Sequence, residues 1–267
     1  MATRSHCALA AALLVAMAAT STQSPHGQGS ARITDGEAAR LAQFPHQALV
    51  LGDGTHICGG SLITKTAVLT AASCTVKFDK FIIRLGSIHR TKNETTAWII
   101  AAHWAVAHPD YSTEAYMSHN VAVVFLPQKA PLSSFIELIT LPSFSEVNDT
   151  FVGKTALLSG WGKTGDDGYI PHTLRYAELT VVPNSVCEEG YGPGFILEST
   201  LCAGNKFKGF CSYDHGGALV LKTKEGYKQI GIASFVYDKC DVPIPGGFSR
   251  VTYFLDWITK TAEIADD

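Results

Sequence analysis

The sequence predicts an all-β fold, and three observations predict it. Short β-favouring runs recur along the chain, at 47–51, 67–70, 81–85, 97–101, 121–125, 156–159, 177–182, 218–221 and 229–235. Gly, Pro, Asn and Asp punctuate these runs, the residue types that supply the special φ values and local hydrogen bonds of turns. A helical pattern is convincing only at the C-terminal end, so the runs imply a sandwich or barrel rather than strands alternating with helices. The chain has 267 residues, 46% of them hydrophobic and 17% charged, enough to fill one large domain or two packed subdomains.

Taken in order, residues 1–20 place Arg4 before an apolar run at 8–19 and then small residues, the pattern of a secretory signal peptide. That run, about a dozen residues, falls short of the roughly 20 needed to span a bilayer. Residues 21–32 are polar and rich in Ser, Gly and Gln, the composition of a flexible propeptide, and they end at Arg32. The strand runs follow. The stretch 127–150, irregular and holding Pro131 and Pro142, is the expected connection between two halves. At the end, Thr252 is positioned to cap a helix through Tyr253, Phe254, Trp257 and Ile258, whose apolar spacing is helical.

A net charge of -3 with no long basic run leaves no electrostatic footprint for nucleic acid or an anionic membrane surface, and neither is expected as a partner. Of seven cysteines, Cys7 lies in the signal peptide, which leaves Cys58, Cys74, Cys187, Cys202, Cys211 and Cys240. Six in an exported chain point to disulfides, although counting alone permits 15 pairings. Close Cys pairs with histidines at matching intervals are missing, so neither a metal nor another cofactor is expected. Asn93 and Asn148 begin N-x-T sequons, which favours glycosylation at surface positions.

Four segments, in order, resemble one family. Cys58-Gly59-Gly60-Ser61-Leu62-Ile63 followed by Val68-Leu69-Thr70-Ala71-Ala72-Ser73-Cys74 resembles the strand and turn that carry the catalytic histidine in trypsin/chymotrypsin serine proteases. His119-Asn120-Val121-Ala122-Val123-Val124 is similar to the strand bearing the catalytic aspartate, and Ser159-Gly160-Trp161-Gly162 to the opening of the second barrel. Cys211-Ser212-Tyr213-Asp214-His215-Gly216-Gly217 resembles the nucleophile loop. The likeness runs from Ile33 to about Ile258. It implies two packed six-stranded antiparallel β-barrels, about 33–135 and 150–250, within a domain 33–267 that ends in an α-helix at about 252–264. It also implies disulfides Cys58–Cys74, Cys187–Cys202 and Cys211–Cys240.

The family's chemistry needs a hydroxyl nucleophile, a histidine to take its proton and a buried carboxylate to orient that histidine. At the matching positions this sequence has His215 for the serine, Ser73 for the histidine and Asn120 for the aspartate. In the serine-protease template, exchanging the carboxylate for an amide alone costs about 10⁴ in turnover, so a pseudoprotease is expected. Tyr213 stands where the family keeps the oxyanion-site glycine, and a side chain there restricts the backbone and crowds the substrate carbonyl. Among the pocket positions Gly209, Val236 and Gly246, Gly209 replaces the carboxylate of trypsins and Val236 a wall glycine, which implies a narrowed, neutral pocket.

Other family features are retained. Arg32-Ile33 resembles the activation junction, and Asp214 the carboxylate that receives the freed amino group of the new N-terminus. His108 falls in a family surface loop and is read as structural, while Trp161 and Trp257 are read as core aromatics. Together these imply a monomeric, secreted, non-catalytic homologue, similar to short-propeptide arthropod members. Its expected partner is an active protease, a protease substrate or an inhibitor. The rival is a hydrolase using a transposed Ser73/His215 dyad; a third alternative is a structural domain without a partner.

Overall fold

The computed structural model describes Met1 and residues 36–114, 117–205 and 209–263. The signal peptide, the propeptide and the Arg32-Ile33 junction lie outside the described residues. A two-residue strand, β1 (Glu37–Ala38), precedes the first sheet. That sheet comprises β2 (Gln47–Gly52), β3 (His56–Thr64), β4 (Ala67–Thr70), β5 (Phe81–Leu85), β6 (Trp98–Ala102), β7 (Trp104–Ala107) and β8 (Ala122–Phe125). Its antiparallel order is β6-β5-β2-β3-β4-β8-β7. Only His103 separates β6 from β7, so the two are halves of one bent strand and the sheet closes as a six-stranded barrel.

The second sheet is built from β9 (Thr155–Gly160), β10 (Arg175–Val182), β11 (Thr200–Gly204), β12 (Ala218–Thr223), β13 (Gly226–Phe235) and β14 (Gly246–Arg250). Its order is β10-β11-β14-β13-β12-β9, with β9 pairing back onto β10 and β1 attached at the rim of β10. Closure matters physically because it leaves no long row of unpaired backbone groups. The two six-stranded barrels are therefore as the sequence implied. Among the described strands, five escaped the reading of short apolar runs: β1, β3, β7, β11 and β14.

Each barrel encloses its own core. Val50, Leu62, Val68, Ile83 and Val123 fill the first, and Leu158, Leu179, Leu201, Ile230 and Phe248 fill the second. A third cluster of Phe44, Leu49, Ile57, Trp161 and Leu174 draws on both barrels. Buried polar pairs also cross between them, with Ser61 Oγ donating to Gln229 Oε1 at 2.6 Å and Ser159 Oγ to Gln47 Oε1 at 2.6 Å. Satisfied pairs of this kind fix the relative register of two packed units, since a slip would leave each group buried and unbonded.

The expectation of a single, C-terminal helix needs correction. A second helix, α1 (Asn184–Tyr191), lies in the second half, and within it only Cys187 is buried. It lacks an apolar stripe to read, and the Cys187–Cys202 disulfide ties it to β11. The terminal helix α2 spans Val251–Thr261 and sinks Phe254, Leu255 and Ile258 inward. Thr252 does not cap it: Arg250 holds that place, and the Thr252 hydroxyl is buried without a hydrogen-bond partner. No helix among the described residues is long and apolar enough to cross a membrane. All three disulfides, Cys58–Cys74, Cys187–Cys202 and Cys211–Cys240, form as the resemblance implied.

Candidate functional site

Ser73 sits in a short 3₁₀ turn, Ala72–Cys74, which follows β4 and is tied to β3 by the Cys58–Cys74 bridge. Its backbone N–H donates to Asn120 Oδ1 at 2.8 Å. Asn120 is fully buried; its amide nitrogen donates to Ser234 Oγ at 2.9 Å, and its carbonyl accepts from Ser249 Oγ at 2.8 Å. An amide suits this site because both its oxygen and its nitrogen find partners without a buried charge to neutralise. The Ser73 hydroxyl is different: its Oγ is shielded from solvent and has no hydrogen-bond partner.

His215 stands opposite, on the loop between the second barrel's β11 and β12. Its carbonyl accepts from the Gly59 N–H at 2.8 Å, which fastens the loop to β3 of the first barrel. Its imidazole lies edge-on to Phe210, with ring centroids 6.1 Å apart. Burial, with a smaller contribution from the nearby His56, lowers its pKa to about 4, so the ring is neutral at ordinary pH. The structure thus brings Ser73, Asn120 and His215 to one cleft, but no Ser73–His215 hydrogen bond joins them.

Tyr213 adopts φ of +76°, the left-handed region that glycine enters without strain. The loop therefore keeps a glycine-like turn despite the side chain, and the phenol packs toward the Trp161 cluster. Beside the residues read as pocket positions lies a large ring. Phe210, which the sequence reading passed over, is buried and rests against Phe248 with centroids 5.0 Å apart. A Cβ placed on Gly246 would come within 2.6 Å of the Phe210 ring, so this ring occupies the space beside Gly246. Gly209 and Val236 are both half-buried, and Val236 packs against the second-barrel core. The signal for Phe210 was a large apolar residue between Gly209 and Cys211, legible only once Gly246 is known to face it.

Asp214 is buried to 1% exposure. It accepts from the Gly162 N–H at 2.7 Å and from the Cys211 N–H at 3.2 Å. Burial outweighs these bonds and raises its pKa to about 7. Among the described residues no salt bridge reaches it; Ile33, the residue expected to supply a cation, lies outside them. The cradle demands glycine: a Cβ on Gly160 would fall 2.1 Å from the carboxylate, and one on Gly162 2.2 Å.

Comparison with known proteins agrees with this architecture. The family model described as Trypsin matches residues 33–258. The chain belongs to the trypsin family. It is 35% identical to a collagenase of Hypoderma lineatum, over 87% of this chain and 88% of that protein. It is 32% identical to brachyurin of Leptuca pugilator, over 85% of this chain and 96% of that protein. The solved structure of HL collagenase superposes with a TM-score of 0.78 at 33% identity, covering 87% of this chain and all of the other. Disulfide-bonded members of the trypsin family are mostly extracellular, and the three bridges here fit that setting.

The remaining sequence-predicted residues lie outside the cleft. Asn93 and Asn148 are exposed. Asn148 lines a groove of about 590 Å³ with Asp149, Pro183, Glu198, Arg250 and Tyr253. Trp161 is buried as expected and donates its indole N–H to the Ile88 carbonyl at 2.9 Å, while Trp257 is half-buried against the first-barrel core. Near the cleft, Met117, Tyr191, Phe195, Phe235, Val236 and Tyr237 line an open groove of about 440 Å³, with Asp238 and Thr113 also on its wall.

Proposed function

We propose that this trypsin-family chain is secreted and non-catalytic, and that it binds an active protease, a protease substrate or an inhibitor through the loops around the cleft. The observation that carries the reading is the isolation of the Ser73 hydroxyl. A serine attacks a carbonyl only when a base takes its proton. Ser73 Oγ has no partner, and the neutral His215 is not hydrogen-bonded to it. Asn120, as an amide, offers no charge to stabilise an imidazolium.

Binding is supported by the aromatic groove that stays open beside the filled pocket. Its rings, Tyr191, Phe195, Phe235 and Tyr237, suit an extended segment with apolar side chains laid across the surface rather than one side chain buried in a slot. Export is supported by the pattern of residues 1–20 and by the disulfides. Cleavage after Arg32 would free the Ile33 amino group, and a buried Asp214 poised near neutral pH is a fitting acceptor for it.

Purified chain, cleaved after Arg32, is challenged with a serine-directed fluorophosphonate. No label is expected; label on Ser73 that disappears in Ser73→Ala would overturn the reading. Affinity capture with cleaved and uncleaved forms in parallel then tests the partner, and equal recovery from both would sink the switch.

A further inference from the structure

We propose that His108, His119 and Asp110 form a zinc site on the first barrel, beside α2. Spacing in the sequence gave no metal pattern, because the two histidines come from separate segments: His108 follows β7 and His119 precedes β8. The β7–β8 pairing brings those segments together, with Ala107 opposite Ala122. One ring nitrogen from each histidine and a carboxylate oxygen of Asp110 all lie within 4.8 Å of one another.

Ligand bonds of about 2.0–2.2 Å would require these atoms to draw somewhat closer. Asp110 has the freedom to do so, since its side chain is 72% exposed. Its Oδ2 already stands 3.9 Å from His108 Nδ1.

A second observation also points to a ligand. His119 Nδ1 is shielded from solvent yet has no hydrogen-bond partner, a costly state that a metal bond would relieve. The backbone at His119 holds φ of +52°, uncommon for a residue other than glycine, and this conformation places its ring 4.8 Å from that of His108. Burial, and then the neighbouring His119, hold the His108 pKa below its ordinary value despite the opposing pull of Asp110. His108 Nδ1 accepts the Asp110 backbone N–H at 3.2 Å, which holds the Asp110 carboxylate beside the ring.

Phe254 and Trp257 of α2 pack on His108, with ring centroids 5.5 and 5.1 Å away, and restrain its ring. Two imidazoles and one carboxylate favour zinc over calcium or magnesium, which prefer all-oxygen sites. Three protein ligands leave the fourth position of a tetrahedral ion to water.

The test is equilibrium dialysis of the purified chain against zinc chloride at neutral pH, with calcium present in excess. Stoichiometric zinc uptake in the micromolar range is expected, together with protection of His108 and His119 from diethylpyrocarbonate. His119→Gln is expected to weaken uptake by at least about tenfold. Asp110→Asn, at an exposed side chain, should weaken it without disturbing the near-ultraviolet dichroism, which covers the case in which His119→Gln fails to fold. Absence of micromolar uptake overturns the proposal, as does uptake that leaves both histidines open to modification or is unchanged in Asp110→Asn and a folded His119→Gln.

Discussion

Within the loop 211–217, Asp214 lies between Tyr213 and His215, yet the two settings follow different rules. Around Asp214 the fit is tight on every side: two N–H donors face the carboxylate, and Gly160 and Gly162 leave room for nothing larger than hydrogen. Around Ser73 and His215 the fit is looser, with the Ser73 hydroxyl shielded but unbonded and His215 held neutral, although the neighbouring Asn120 has partners for its amide oxygen and nitrogen. Neighbours in sequence can therefore answer to different constraints. The Asp214 cradle belongs to the packing that closes the second barrel against the loop.

Three measurements can break or sharpen this contrast. The largest effect is expected from Gly160→Ala, whose new Cβ would overlap Asp214 Oδ1. A loss of about 3 kcal/mol in urea unfolding is expected, and a neutral result would mean that the cradle yields easily.

A smaller effect separates the two residues by pH. Asp214 has a folded pKa raised from 3.8 to about 7, so its contribution to stability is present below the lower value and lost as pH rises through the higher. His215 is lowered from 6.5 to about 4, so its contribution is present above 6.5 and lost as pH falls through about 4. In the uncleaved chain, between those limits, Asp214→Asn should make stability rise more steeply with pH, and His215→Gln should make it rise less. Each change approaches about 1.4 kcal/mol per pH unit, and parallel curves for the two variants would refute the opposition.

Least is expected from Ser73→Ala, which removes a shielded hydroxyl without a partner. A gain of about 1 kcal/mol in thermal unfolding, rather than a loss, would confirm that the hydroxyl is unserved.

How much of this could be read beforehand differs from element to element. Runs such as Ala67–Thr70 and Phe81–Leu85 were legible because nearly every residue is buried in a barrel wall, which selects apolar β-formers. Strand β14, Gly246–Arg250, was not, because its paired glycines argue against a strand. The glycines are there because the Phe210 and Phe235 rings lie where Cβ atoms at 246 and 247 would be. Helix α1 hid for a related reason: one buried cysteine leaves no periodicity to detect. At the candidate site Ser73, Asn120 and His215 were visible, whereas the placement of the Phe210 ring beside Gly246 and the meeting of His108 with His119 were not.

The sequence by itself determined the two-barrel family architecture and the disulfide-rich character, since these rest on residue identity and order. Tertiary structure alone decided that Ser73 and His215 do not bond, that Phe210 fills the space beside Gly246, and that two histidines in separate segments meet beside α2. The physical reason is that hydrogen bonding, steric exclusion and metal ligation act over a few ångströms in space. Only the closed barrels set those distances.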